Sequence, residues 1–177
     1  MKLHLPVTLL SAVLACYSVA VLTASAETLT SNVTISTDTT WNETTTIGAN
    51  GLTLTIETGK TLTQAEGAFN IGNNSLTISG GTVTATGGDS TGSDGSGGNG
   101  IYSRNGSIDL SGSLELTAKA GSPNGKALSQ NGSELVLDTI KDKLGPGAKV
   151  TATDADGKVI DQVSTPRPVE PEESSSS

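Results

Sequence analysis

The sequence predicts an all-β fold, a parallel β-solenoid of about four to five three-strand rungs with a C-terminal hairpin cap. Three observations predict it. Hydrophobic residues make up only 33% of the 177-residue chain and aromatics 2%, too few large rings for a conventional globular core. Short segments of alternating apolar residues recur in columns along the chain. Asn-Gly and Gly-Gly pairs separate them, as expected where sharp corners need positive φ.

The columns follow from four segments that begin alike: Asn50-Gly51 before Leu52-Thr53-Leu54, Asn73-Asn74 before Ser75-Leu76, Asn105-Gly106 before Ser107-Ile108, and Asn131-Gly132 before Ser133-Glu134-Leu135. Aligning them gives a first column of Val33, Leu54, Leu76, Ile108 and Leu135, followed two residues on by Ile35, Ile56, Ile78, Leu110 and Leu137. A second column is Ile47, Phe69, Ile101 and Leu128, and a third is Trp41, Leu62, Val83 and Leu114, resumed by Val150. All three keep the same spacing, including one shared lengthening, so each repeat contributes three short strands with one buried face. Abundant Thr, Val and Ile suit strands. Rungs stacked about 4.8 Å apart then enclose a narrow column of aliphatic side chains. On the outside, Thr61-Leu62-Thr63 and Thr82-Val83-Thr84 stack as Thr-x-Thr rows, which Ser113-Leu114-Glu115 is expected to interrupt.

Residues 1–26 read as a secretory signal peptide. Lys2 starts it, an apolar run extends from Leu9 to Leu22, and Ala24-Ser25-Ala26 offers cleavage after Ala26. Val13-Leu14-Ala15-Cys16 is a looser match to a lipobox, which would leave an acylated Cys16 at the N-terminus. The β-helix domain spans residues 27–163. Within it, residues 87–99 form a Gly/Ser/Asp insertion with no apolar side chain, expected to be a mobile loop. A second insertion, 138–147, holds Ile140 and Leu144 at helical spacing ahead of Gly145-Pro146. Residues 148–163 read as the cap hairpin, turning at Asp154-Ala155-Asp156-Gly157, and 164–177 as a disordered Pro/Glu/Ser tail.

The leader implies a secreted or cell-surface location. His4 and Cys16 both lie in it, so the mature chain would hold neither thiol nor imidazole. Disulfides, Cys or His metal sites and nucleophile–His catalysis then drop out. Cleavage removes one of the 10 Lys+Arg and none of the 18 Asp+Glu, leaving 9 − 18 = −9. That balance, without a basic stripe, opposes nucleic-acid binding. No second apolar run is long enough to span a bilayer, and a monomer is expected.

Two stretches, Gly98-Asn99-Gly100-Ile101-Tyr102-Ser103 with Asn105 to Gly112, and Ser75 to Ala85, give the sequence from about 65 to 137 a family likeness. It resembles bacterial secreted right-handed β-helix proteins, nearest to the carbohydrate-binding group that includes cellulosome-associated polygalacturonate binders. The resemblance implies a right-handed coil and a glycan ligand. Members carry an Asp pair before the Ile and a His after it, linked to calcium and ligand. Here Gly98-Asn99-Gly100 and Tyr102-Ser103 stand in those places, so the resemblance does not carry those ligands over. Leu29 to Thr63 also looks like the opening of β-helical passenger domains of autotransporters and adhesins, which would make the chain a passenger-like piece.

β-Helix enzymes acting on pectin bring carboxylates together with Arg or Lys across adjacent rungs. Arg104, Asp109, Glu115 and Lys119 share one rung, and the positions expected beside Asp109 are Thr77 and Val136. A second carboxylate is missing, so no catalytic residue and no enzymatic activity are expected, a pectin-active enzyme being the minor alternative. No cofactor is expected either. Asp89 and Asp94 are weak calcium candidates without the spacing of a known calcium loop. Trp41 reads as core. Tyr102 follows the inward Ile101 and so points outward, between Asn70 and Ser129 and next to Arg104. Its ring would cover the apolar face of a sugar while Asn70, Arg104 and Asp109 take hydroxyls. The expected function is non-catalytic glycan binding or adhesion, with a host or cell-surface polysaccharide as partner. The alternative is a structural spacer or adhesin passenger fragment.

Overall fold

The computed structural model describes residues 27–65, 67–90 and 97–169. The leader with Cys16, Asp94 in the first insertion, and residues 170–177 lie outside them.

Strands are short because corner residues arrive every few positions. The chain opens with β1 (Glu27–Leu29), β2 (Val33–Ile35) and β3 (Thr39–Trp41), then β4 (Thr45–Ile47), β5 (Leu52–Ile56) and β6 (Thr61–Gln64). Next come β7 (Phe69–Gly72), β8 (Leu76–Ser79) and β9 (Thr82–Thr86), then β10 (Ile101–Ser103), β11 (Ile108–Ser111) and β12 (Glu115–Lys119). The last strands are β13 (Leu128–Gln130), β14 (Ser133–Glu134), β15 (Lys149–Thr153) and β16 (Val159–Ser164). Up to β13 every third strand joins the same sheet. Sheet A is β1-β4-β7-β10-β13-β14, sheet B is β2-β5-β8-β11, and sheet C is β3-β6-β9-β12-β15-β16. Pairing is parallel until β14 folds back on β13 and β16 on β15. A chain whose strands pair with the third strand before them has to coil, which is the strand order of a β-solenoid.

Alternation puts the aliphatic residues inside. In β5, Leu52, Leu54 and Ile56 are buried while Thr53 and Thr55 are partly exposed. The sequence columns lie on the correct faces, but the structure moves several partners by two residues. Val33 pairs with Leu54 as aligned, yet Leu54 then pairs with Ile78, and Leu76 lies beside Leu52. Phe69 lies beside Thr45 rather than Ile47, Leu62 beside Thr39 rather than Trp41, and Val83 beside Leu116 rather than Leu114. Two residues is one full strand period, so the slip changes neighbours without moving a side chain out of the core. Val150 does continue from Leu116. Leu135 does not extend the first column. It follows the antiparallel β14, and a 3-10 helix, Leu137–Lys143, then covers that end of sheet B, burying Leu137 and Ile140.

At the corners glycine and asparagine divide the work. Gly51 and Gly132 take positive φ, 75° and 83°, and among the described non-glycine residues only Asn124 and Asn131 do so. The other corner Asn side chains bridge rungs instead. Asn32 Oδ1 accepts from the Thr53 amide (2.9 Å), Asn50 Oδ1 from Ser75 (2.8 Å) and Asn99 Oδ1 from Lys126 (2.8 Å). Trp41 packs in the core, its ring 5.8 Å from that of Phe69 and nearly edge-on at 67°. β16 runs through Ser164, and the Thr165 amide still donates to the Ala148 carbonyl (2.9 Å), so the chain leaves the fold later than the expected tail boundary.

Candidate functional site

Tyr102 is held by strand alternation: Ile101 and Ser103 are buried and the residue between them faces out, partly exposed. It is in register with Asn70 on one side and Ser129 on the other. Asn70 Oδ1 is shielded from solvent and has no hydrogen-bond partner. Ser129 is buried, being paired with Glu134 of β14. Arg104, just past β10, is exposed, and its backbone amide donates to the Gly72 carbonyl (2.7 Å).

Asp109 does not join this group. It lies on sheet B beside Thr77, accepts from Ser107 Oγ (2.8 Å) and sits 3.7 Å from Lys143 Nζ. Lys143, from the 3-10 helix, stands where Val136 was expected, while Val136 itself is exposed. The pair is solvent-exposed and holds the helix to sheet B only weakly. Asp89 is also engaged, its Oδ1 accepting from the Ser122 amide (2.7 Å) across the corner. Among the described residues no group of three or more His, Cys, Asp or Glu side chains is placed to hold a metal ion.

Glu134 is a carboxylate that pattern reading missed. β14 is two residues long, yet Glu134 accepts from the Leu128 amide (2.8 Å) and the Ala127 amide (3.1 Å). It thereby covers backbone donors on the last edge of sheet A, which would otherwise invite pairing with another chain. Burial raises its carboxyl above the ordinary range, and those two amides only partly counter this. Glu27 is likewise raised by burial.

Among the described residues two grooves border sheet C, and neither is lined by Tyr102. One, about 450 Å³, is formed by Ala65, Gly67, Thr86, Gly87, Gly88, Asp89 and Lys119 at the strand ends. The other, about 330 Å³, lies at the strand starts, with Gly59, Gly80, Gly81 and Gly147 as its side-chain-free floor and Glu115 and Arg167 on its walls. Arg167 carried no sequence signal because it belongs to the Pro-rich stretch. Between the grooves one of the two outward Thr rows, Thr61 to Thr82, ends at Glu115, while the other is longer than expected. The in-register segment of β12 is Glu115-Leu116-Thr117, not Ser113-Leu114-Glu115, so Thr40, Thr63, Thr84, Thr117 and Thr151 form one unbroken column.

Among the described residues no helix is long and apolar enough to cross a membrane. No family model matches the chain, and no curated protein or solved structure matches it.

Proposed function

We propose that this chain is a secreted or surface-held, non-catalytic right-handed β-helix of bacterial type, and that it binds glycans. The rung count behind the proposal is five: β1–β3, β4–β6, β7–β9, β10–β12, and a last turn in which the 3-10 helix replaces the middle strand between β13 and β15. Right-handedness rests on the family resemblance and on the general hand of parallel crossovers.

The observation that carries the glycan reading is the outward, partly exposed Tyr102, in register with the amide side chain of Asn70. An aromatic face covers the apolar side of a pyranose, and exposed polar groups at its edge take the hydroxyls. Arg104 is the exposed cation nearest in the chain, whereas Asp109 lies on sheet B, bonded to Ser107 and near Lys143. A formal net charge of −8 favours neutral or amino sugars over polyuronates.

A glycan array comparing wild type with Tyr102→Ala tests this, with thermal melting as a folding control. Specific binding that disappears in the variant supports the site. Binding that survives places the ligand elsewhere, and no binding by either protein leaves the spacer or passenger reading ahead. That second reading is favoured by how many polar side chains are consumed in rung-to-rung hydrogen bonds. Reducing ends or unsaturated products from pectin, with or without calcium, would overturn the non-catalytic part.

A further inference from the structure

Five Asn-Gly pairs lie among the described residues, and asparagine before glycine is the pairing most open to deamidation, because no side chain shields the next amide. The structure ties down four of them. Asn50 Oδ1 accepts from the Ser75 amide while Gly51 N–H donates to the Ser75 carbonyl (3.0 Å). Asn99 Oδ1 accepts from Lys126, and Gly100 N–H donates to the Lys126 carbonyl (3.0 Å). Asn105 Nδ2 donates to Asn73 Oδ1 (2.8 Å), with Gly106 wedged against the Asn74 carbonyl. Gly125 N–H donates to the Gly121 carbonyl (3.0 Å).

Asn131-Gly132 differs from all four. Both residues are exposed, and both take positive φ in the two-residue turn joining β13 to β14. Within the described structure the Asn131 side chain and the Gly132 amide make no hydrogen bond, and nothing comes within 4 Å of a Cβ built on Gly132.

We infer that Asn131 is the chain's site of spontaneous modification, and that its conversion releases the cap on sheet A. The Gly132 nitrogen, losing its proton to solvent base, attacks Asn131 Cγ, and the side-chain nitrogen leaves as ammonia. Water then opens the resulting succinimide to aspartate or isoaspartate. Isoaspartate inserts an extra backbone carbon into a turn of two residues, and either product adds a negative charge. β14 consists of Ser133 and Glu134 alone, so a lengthened turn displaces the carboxylate that holds the Ala127 and Leu128 amides. The last edge of sheet A is then uncovered.

The full chain, aged at body temperature in mildly alkaline buffer, is digested and mapped by mass spectrometry, with a parallel sample in concentrated urea. In urea all five pairs should react at similar rates. In the native sample Asn131 should react about tenfold faster than the others, as the loss of one or two holding hydrogen bonds implies. Hydrogen exchange at Ala127 and Leu128 should rise with the isoaspartate content. A native ranking no different from that in urea would overturn the assignment of the site. Unchanged protection of those two amides in isoaspartate-containing protein would overturn the proposed release.

Discussion

Gly106→Ala tests how tightly the corners are stacked. Gly106 lies between β10 and β11, over the corner that contains Asn73 and Asn74. A Cβ there would fall 1.6 Å from the Asn74 carbonyl oxygen and 2.4 Å from its carbon. The φ of Gly106 is not in the left-handed region, so the penalty is steric. Backbone rather than a flexible side-chain end is in the way, and relief means lifting one corner off the other. Three hydrogen bonds resist that: the Arg104 and Asn105 amides to the Gly72 carbonyl (2.7 and 3.3 Å), and Asn105 Nδ2 to Asn73 Oδ1 (2.8 Å). At about 0.5–1.5 kcal/mol each, added to about 1–3 kcal/mol for overpacking, the cost comes to about 2.5–7.5 kcal/mol. Gly51→Ala is the control. Its φ is 75° and nothing lies within 4 Å, so only the left-handed backbone penalty of about 1–2 kcal/mol applies. Thermal melts followed by circular dichroism read both variants. At about 2–4 °C per kcal/mol for a chain of this size, Gly106→Ala should melt about 5 °C or more below wild type. Equal or greater destabilisation by Gly51→Ala would refute the reasoning, because corner conformation rather than corner stacking would then limit stability.

Two further outcomes concern carboxylates. Because burial raises the Glu134 carboxyl, the folded chain holds that proton more tightly than the unfolded chain does. The stability this contributes is present below the ordinary carboxylate range and is lost as pH rises through the raised folded value. Glu134→Gln should flatten that decline in urea midpoints measured from about pH 4 to pH 7, and an unchanged slope would show that another group causes it. Calcium should leave the melting temperature unmoved, since Asp89 already serves the Ser122 amide. A rise that Asp89→Asn abolishes would establish a calcium site in the first insertion.

The parallel stacking was legible because it rests on polarity, and polarity repeats. Leu54, Ile78 and Leu110 are interchangeable in a pattern of apolar alternation, which is why that pattern finds the buried face. For the same reason it cannot distinguish Leu76 from Ile78 as the partner of Leu54. Register is decided by corner length, and corner length depends on whether Asn50 or Gly51 supplies the bend and which amide Asn50 captures. The consequences reach the surface. Aligning Leu114 with Val83 ended the Thr column at Glu115, whereas Leu116 carries it through Thr117. The neighbour of Asp109 was misplaced for a different reason: Lys143 comes from the 138–147 insertion, whose helical spacing was legible but whose 3-10 helix brings it to the place expected for Val136. Glu134 left no trace in the pattern at all, since its role comes from a backbone reversal after Asn131-Gly132.

These distinctions bear on which outer face suits a ligand. The unbroken Thr column on sheet C is conspicuous, and it adjoins both grooves, yet it has a sufficient structural cause. Threonine favours strands, and neighbouring threonines on adjacent strands stabilise one another. The corner side chains of Asn32, Asn50, Asp89 and Asn99 likewise have backbone amides to serve. Tyr102 has no comparable reason for its place. Its in-register neighbours are Asn70 and Ser129, not an aromatic or branched aliphatic residue, and it adds no buried ring to the core. An outward aromatic set between polar in-register neighbours is poorly accounted for by folding alone. That imbalance makes sheet A, rather than the more regular sheet C, the first face on which to look for a sugar.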